Sequence, residues 1–159
     1  MKTFHRNAFI ILLLIIVGCE PQYNTMEMDK ELINKEIKQQ FNQLVLAINN
    51  LDTIAWAEFF SKDEFKSAFV GTDLYNTRSE FINAIESYFA NREYQNLQPI
   101  EIHITALSPE LALMTSQEKT EMRLKSGEEI KAVHIYSMIW KKEQDGWKII
   151  HSSESWTNE

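Results

Sequence analysis

Hydrophobic residues recur every three or four positions along the stretch that follows Asp29. This spacing places one apolar stripe on a long amphipathic helix that ends at the Asn49-Asn50 pair. The stripe consists of Leu32, Ile33, Ile37, Phe41, Leu44, Val45 and Ile48. Asp29 is suited to accept a hydrogen bond from the first turn, so it marks the start of the helix.

Two more helices are predicted before residue 91. Asp52 is suited to cap a short helical segment that carries several aromatic residues, among them Trp56 and Phe60. Residues 65–70 predict a short strand, and a Gly-Thr-Asp turn closes it. Thr77 and Glu80 have the spacing of a capping box and open a third helix with its large apolar residues on one side.

The pattern changes to alternation after Asn91, which is typical of β-strands. Four segments, 95–107, 111–125, 129–142 and 147–156, predict strands. Turn-forming sequences separate them: Ser-Pro-Glu, Ser-Gly and Glu-Gln-Asp-Gly. Helices followed by antiparallel hairpins indicate an α+β domain in which the helices pack on one face of a curved sheet.

The first residues form a different kind of segment. Lys2 and Arg6 precede an unbroken apolar run from Ala8 to Val17. As a helix this run rises about 15 Å, roughly half the thickness of a bilayer's hydrocarbon core. A positive start, a short apolar middle and a small residue before a break are typical of an export signal.

The end of that run, Ile16-Val17-Gly18-Cys19, resembles the lipobox of bacterial lipoproteins. The resemblance implies that Cys19 is lipidated, becomes the new N-terminus and anchors the chain to a bacterial membrane, outside the cytoplasm, in the cell envelope. Two or three acyl chains hold a protein on a membrane stably. The predicted organisation is a signal peptide (1–18), a flexible tether (19–27) and one domain (28–159). The alternative is a soluble secreted protein with an idle thiol.

Composition narrows the choice of partners. The chain has 16 Lys and Arg against 23 Asp and Glu, which gives a formal charge of −7, and it contains no basic run. Because phosphate backbones repel such a chain, nucleic acid is not predicted as a partner. The same acidity favours a domain that stands away from anionic lipid headgroups. A single Cys excludes an intrachain disulfide and a Cys-rich metal site. No cofactor is predicted.

The order of elements and the last hairpin resemble a known superfamily. The hairpin runs from Ile139-Trp140 through Asp145-Gly146 to Trp147-Lys148-Ile149-Ile150-His151. Over residues 28–156 the chain is similar to nuclear transport factor 2-like proteins, particularly their SnoaL-like and ketosteroid-isomerase-like branch. This implies a cone in which the sheet wraps around the helices and leaves a cavity, with dimers through the outer sheet face. The superfamily holds enzymes, ligand carriers and assembly domains, so the fold does not decide the function.

Turn lengths predict which strand residues face the helices. With a two-residue Ser126-Gly127 turn, Tyr136 lies opposite Gln117 and Met138 lies opposite Thr115. The predicted inward face then comprises Leu113, Thr115, Gln117, Lys119, His134, Tyr136, Met138, Trp140, Trp147, Ile149, His151 and Ser153, together with Ile100, Ile102 and Ile104. The predicted outward face, offered as the homodimer surface, comprises Met114, Val133, Ile135, Ile139 and Ile150, interrupted by Ser116, Glu118, Thr120, Ser137 and Ser152. A three-residue turn in either hairpin would reverse the relative assignment.

The predicted cavity has an aromatic and thioether wall with a few polar points. Its predicted lining is Trp56, Phe60, Phe89, Thr115, Gln117, His134, Tyr136, Met138, Trp140 and His151. The leading hypothesis is therefore a membrane-anchored domain that binds a small apolar ligand or partner without catalysis, as a homodimer.

Two alternatives stay open. One is an isomerase- or dehydratase-like enzyme that acts on a cyclic ketone, with Tyr136 as hydrogen-bond donor and Asp73, in a turn, as the nearest acid. The other is an assembly adaptor whose cavity is filled by its own side chains, which a cavity well under about 300 Å³ would favour. His103, His134 and His151 are isolated from one another, so no metal site is predicted.

Overall fold

The computed structural model describes residues 29–158, so the predictions of a signal peptide, a lipidated Cys19 and a tether fall outside the described residues. Three helices are present: α1 (Lys30–Asn49), α2 (Thr53–Ala57) and α3 (Arg78–Ala90). Asp29 accepts a hydrogen bond from the Leu32 backbone N–H, and Asp52 accepts one from Ala55. Thr77 and Glu80 form the reciprocal capping box at the start of α3. The three helices and their caps are confirmed.

The strands form a six-stranded sheet whose spatial order is β2-β1-β6-β5-β4-β3. Their bounds are β1 (Ser67–Val70), β2 (Asp73–Tyr75), β3 (Arg92–Ser108), β4 (Leu111–Leu124), β5 (Glu129–Glu143) and β6 (Gly146–Asn158). Every pairing is antiparallel except β1 with β6. The predicted α+β class is therefore confirmed. Strand β2 was predicted only as a turn; Gly71, with φ of +60°, lets the chain reverse tightly so that residues 73–75 pair back on β1.

The helices pack against one face of the sheet and enclose the core. Trp140 is fully buried, and Trp147 is buried with its indole N–H donating to Glu36 Oε2 of α1 at 2.7 Å. Asn49, the last residue of α1, bonds both the N–H and the carbonyl of Leu97 on β3. Trp147 fills the end of the cone at the β5–β6 turn, whereas the Asn49–Leu97 contact holds α1 to the sheet nearer the β4–β5 turn, because Leu97 pairs with Thr120.

The predicted register of β4 against β5 is wrong by one residue. The Leu124 N–H donates to the Glu128 carbonyl, so Lys125, Ser126 and Gly127 form a three-residue turn with Gly127 at φ of +89°. Three-residue hairpin loops commonly place a left-handed residue, most often glycine, at the third position, as Gly127 is here. Tyr136 consequently pairs with Ser116, and Glu118 with His134.

The shift exchanges the two faces of β4. Even-numbered residues point inward, and Glu118, predicted to point outward, is 0% exposed. Met114, assigned to the outer surface, is likewise buried. Odd-numbered residues of β4, including Thr115 and Gln117, lie on the outer face.

A bulge in β6 reverses the predicted faces of that strand's second half. Trp140 pairs with Ile149, as a two-residue turn requires, but Ile139 pairs with His151, so Ile150 is an extra residue in β6. Beyond this point even-numbered residues of β6 share the inward face with even-numbered residues of β5. His151 and Ser153 therefore lie on the outer face, and Ser152 and Glu154 on the inner one.

The outer face of β5 keeps the predicted apolar residues Val133, Ile135 and Ile139, of which Ile135 is 54% exposed. On β3, Ile102 and Ile104 pack against the core, but Ile100, predicted inward, is exposed because a register irregularity lies between Pro99 and Glu101.

No helix within residues 29–158 is long and apolar enough to cross a membrane.

Candidate functional site

A cavity of about 420 Å³ lies between the helices and the sheet, at the end of the cone away from Trp147. Its helical side is apolar and aromatic: Trp56 makes ring contacts with Phe60, Phe81 and Phe89, and Ile85 also lines the cavity. The remaining lining residues are Leu44, Ile48, Phe69, Val70, Tyr88, Asn91, Arg92, Gln95, Met122, Leu124, Glu128, Ile130, Ala132, His134, Tyr136, Met138, Ser152, Glu154 and Trp156. The volume falls within the range of small-molecule sites.

Six of the predicted lining residues border this cavity: Trp56, Phe60, Phe89, His134, Tyr136 and Met138. Four do not. Trp140 is buried in the core instead, while Thr115 and Gln117 lie on the outer face because the β4–β5 turn holds three residues. His151 lies on the outer face because of the bulge at Ile150, where its Nδ1 is 3.0 Å from the Ser67 hydroxyl.

Asp73, the acid proposed for catalysis, is not part of the cavity either. It begins β2, pairs with Val70 at the edge of the sheet, and is exposed to solvent. The structure therefore does not place Asp73 in the lining of the cavity that Tyr136 borders.

The cavity wall instead contains a hydrogen-bonded acid and imidazole. Glu154 Oε1 lies 2.7 Å from His134 Nδ1, and the two side chains are 17% and 8% exposed. A separation of 2.7 Å is typical of a hydrogen bond that involves a charged partner. His134 on β5 and Glu154 on β6 meet because the bulge turns Glu154 inward, diagonally across from His134. That bond uses Oε1, and the Tyr136 hydroxyl also hydrogen-bonds to the Glu154 carboxylate.

Tyr136 and Arg92 lie close to this pair. Tyr136 is directly opposite Glu154 in the sheet, and burial together with the charge of Glu154 raises its pKa well above its usual value. Its phenol therefore stays protonated and can donate a hydrogen bond. Burial lowers the pKa of Arg92, but a guanidinium remains charged at physiological pH. Arg92 donates to Gln95 Oε1 and lies over the Phe89 ring, 5.7 Å from its centroid.

Glu118 is a second buried acid beside His134. It is 0% exposed, and neither of its carboxylate oxygens has a hydrogen-bond partner among residues 29–158. Burial raises its pKa to about 7, Ser116 opposes the shift, and the charge of Glu154 adds to it. Glu118 does not border the cavity itself; it lies behind His134 on the neighbouring strand.

Sequence reasoning missed Glu118, Glu154 and Arg92 as site residues. The sequence did contain a signal for the inward position of Glu118: Gly127 is the third residue of the β4–β5 loop, and three-residue hairpin loops prefer glycine at that position. No comparable signal marks the bulge at Ile150. Within the described part of the chain, no group of three or more His, Cys, Asp or Glu side chains could hold a metal ion.

The helices pack into a curved sheet and leave a cavity whose wall contains a carboxylate–imidazole pair. This architecture is that of the cone-shaped α+β domains. The SnoaL-like domain model matches residues 37–159, so the chain belongs to the SnoaL-like domain family. This confirms the predicted superfamily. No curated protein sequence matches the chain.

Solved structures share the fold at low sequence identity. A candidate dehydratase of the NTF2-like family from Streptomyces avermitilis is 14% identical over 79% of this chain and 96% of its own, with a TM-score of 0.70. A superfamily protein from Salmonella enterica is 16% identical over 79% and 91%, with a TM-score of 0.72. A hexachlorocyclohexane dehydrochlorinase is 9% identical over 82% and 91%, with a TM-score of 0.69.

Proposed function

We propose that the domain is an acid–base catalyst that removes a proton from carbon in a small, mainly apolar, ring-sized carbonyl compound. One observation carries this proposal: Glu154 and His134 form a 2.7 Å hydrogen bond in the wall of a mainly apolar cavity. This supplies the base that was missing from the isomerase or dehydratase alternative. General acid–base catalysis contributes about 10²–10⁴-fold to a rate.

In the proposed step, Glu154 accepts a proton from the carbon next to the substrate carbonyl. The C–H electron pair moves into a carbon–carbon double bond, and the carbonyl oxygen becomes an enolate oxygen. The Tyr136 hydroxyl and the Arg92 guanidinium are the donors nearest to Glu154 that can stabilise that oxygen. His134 holds Glu154 in position through Nδ1–H. Return of the proton to another carbon gives isomerisation, and departure of a group from the next carbon gives elimination.

The dehydratase and dehydrochlorinase names among the structural neighbours are compatible with elimination. At 14% and 9% identity these likenesses show the fold alone, so the proposal stands on the residues of this chain.

Binding without catalysis is the second candidate, because most of the cavity lining is apolar. In that case the Glu154–His134 pair orders the wall and orients a ligand. The cavity of about 420 Å³ speaks against an adaptor filled by its own side chains.

Proton exchange separates these functions. The full-length protein in detergent is incubated in D₂O with a panel of cyclic ketones, and NMR follows the loss of protons next to the carbonyl. We expect exchange above the buffer rate for at least one ketone that also raises the melting temperature. A ligand at 100 times its dissociation constant stabilises by about 2.7 kcal/mol. Stabilisation without exchange would favour the binding function. If the ketones cause neither exchange nor stabilisation, both functions are rejected.

Location and assembly are further proposals. We propose that Cys19 anchors the domain to the outer side of a bacterial membrane and that two copies pair through the outer sheet face. The lipobox-like sequence supports the anchor, and exposed Ile135 on an apolar strand face supports the dimer. Mass spectrometry of membrane-extracted protein should find acyl chains at Cys19, and Cys19→Ser should move the protein to the soluble fraction. Sedimentation of Cys19→Ser protein as a monomer at about 50 μM would remove the dimer.

A further inference from the structure

Five buried polar atoms without hydrogen-bond partners cluster on the inner faces of β4 and β5. They are Ser116 Oγ, both carboxylate oxygens of Glu118, Thr120 Oγ1 and His134 Nε2, judged over the described residues. Native proteins leave few buried polar atoms unpaired, so a cluster of them on one patch calls for a physical explanation. Ser116, Glu118 and Thr120 alternate along β4, and His134 faces the middle one.

Glu118 and His134 are placed to interact. They are directly opposite in the β4–β5 register and point to the same face. Side chains in such positions have Cβ atoms about 4.5–5.5 Å apart. The Nδ1 of His134 is occupied by Glu154, which belongs to β6 on the other side of β5. Because the two nitrogens lie on different sides of the ring, Nε2 is free for a partner other than Glu154.

The other groups around Glu118 do not neutralise it. It lies beside His134 and Tyr136 of β5, it is affected by the negative charge of Glu154 on β6, and the residue opposite it on β3 is the uncharged Pro99. The buried face of α1, which packs on β3, is apolar. Glu118 therefore keeps its proton until the pH is about 7. A carboxyl group and an imidazole that face each other can hold one proton between them, and their titrations are then coupled.

We propose that Glu118, His134 and Glu154 form one proton-sharing unit across three strands, in which Glu118 is a positioning residue that decides whether His134 is neutral or positive. When Glu118 is protonated, His134 is neutral and Glu154 is the stronger base. When Glu118 loses its proton, the negative charge favours the imidazolium, which weakens Glu154 as a base. The catalytic consequence rests on the proposed function; the proton sharing does not.

The test reads the His134 ring directly and needs no substrate. In the full-length protein, NMR signals of the imidazole are followed from pH 5 to pH 9, and His134 is identified by its absence in His134→Gln. In Glu118→Gln we expect the His134 midpoint to fall by about one pH unit, since the negative charge that favours the imidazolium is gone. Glu118→Asp should restore part of the shift. The matched control is Glu121→Gln, three residues along on the outer face, where Glu121 pairs with Lys131.

An unchanged His134 midpoint in folded Glu118→Gln would overturn the proposal. If that variant does not fold, the test uses the wild-type protein, in which NMR follows the side-chain carboxyl signals of the glutamates over the same pH range. The proposal requires one of them to titrate together with His134, and separate midpoints contradict it. Proton exchange on ketones is measured in the same variants. Its absence in the wild type, alongside a shifted His134, would reject the proposed function and leave the proton-sharing unit intact.

Discussion

Glu154→Gln is expected to lower the rate of ketone proton exchange by about 10²–10⁴-fold. The amide keeps the shape of the side chain and can still hydrogen-bond to His134, but it cannot accept a proton from carbon. Binding should change little, because most of the cavity lining is apolar and untouched. NMR exchange rates in D₂O give the first effect, and ligand-induced shifts in melting temperature give the second.

The control for this variant is again Glu121→Gln, which removes one carboxylate from the outside of the same sheet. It should exchange at the wild-type rate. If Glu154→Gln also keeps the wild-type rate, then Glu154 is not the base, and His134 becomes the candidate. If Glu154→Gln abolishes ligand stabilisation, the carboxylate serves binding rather than proton transfer.

The helical half of this fold could be predicted because its signals are local. Asp29, Asp52 and the Thr77–Glu80 pair each cap a helix through contacts within three residues, so neighbouring sequence contains all the information. Part of the aromatic wall follows the same rule: Trp56 on α2 and Phe89 on α3 face the cavity from the apolar sides of their helices, whereas Phe60 lies beyond α2 and is placed by its bridge to Ile149.

The candidate site could not be predicted in the same way, because two single-residue differences in the strands decide it. One extra residue in the β4–β5 turn brings Glu118 inside, and one extra residue at Ile150 brings Glu154 inside. Side chains alternate with a period of two, so each difference exchanges both faces beyond it. Glycine at the third turn position hints at the first change. The bulge lies where β6 leaves Phe60 and begins to pair with β1, and that is a contact between distant parts of the chain.

Buried acids with raised pKa values occur at active sites more often than elsewhere, yet they also weaken the fold. Glu118 has a pKa of about 7 in the folded chain, whereas in an unfolded chain the value is the ordinary 4.5. Below pH 4.5 the group is neutral in both states and costs nothing. As the pH rises toward 7 the unfolded chain ionises freely while the folded chain resists, so stability falls. Above pH 7 the full cost remains, about 3 kcal/mol.

Glu118→Gln should therefore gain stability over the wild type as the pH rises. The glutamine stays neutral, so we expect the difference in unfolding free energy to grow by about 2–3 kcal/mol between pH 4.5 and pH 8 and to level off above it. Urea unfolding of both proteins at several pH values measures that difference. Taking differences cancels the titrating groups that Glu118 does not influence, so only Glu118 itself and the coupled His134 contribute to the pH dependence, and the unpaired amide adds a constant offset.

Glu121→Gln again provides the comparison, because its carboxylate is exposed and pairs with Lys131 at the surface. Its difference from wild type should stay within about 1 kcal/mol at every pH. A difference for Glu118→Gln that does not vary with pH would mean that Glu118 ionises as easily inside the sheet as in water. In that case its burial beside His134 would impose no cost, and the acid could not act as the proton-holding end of the site.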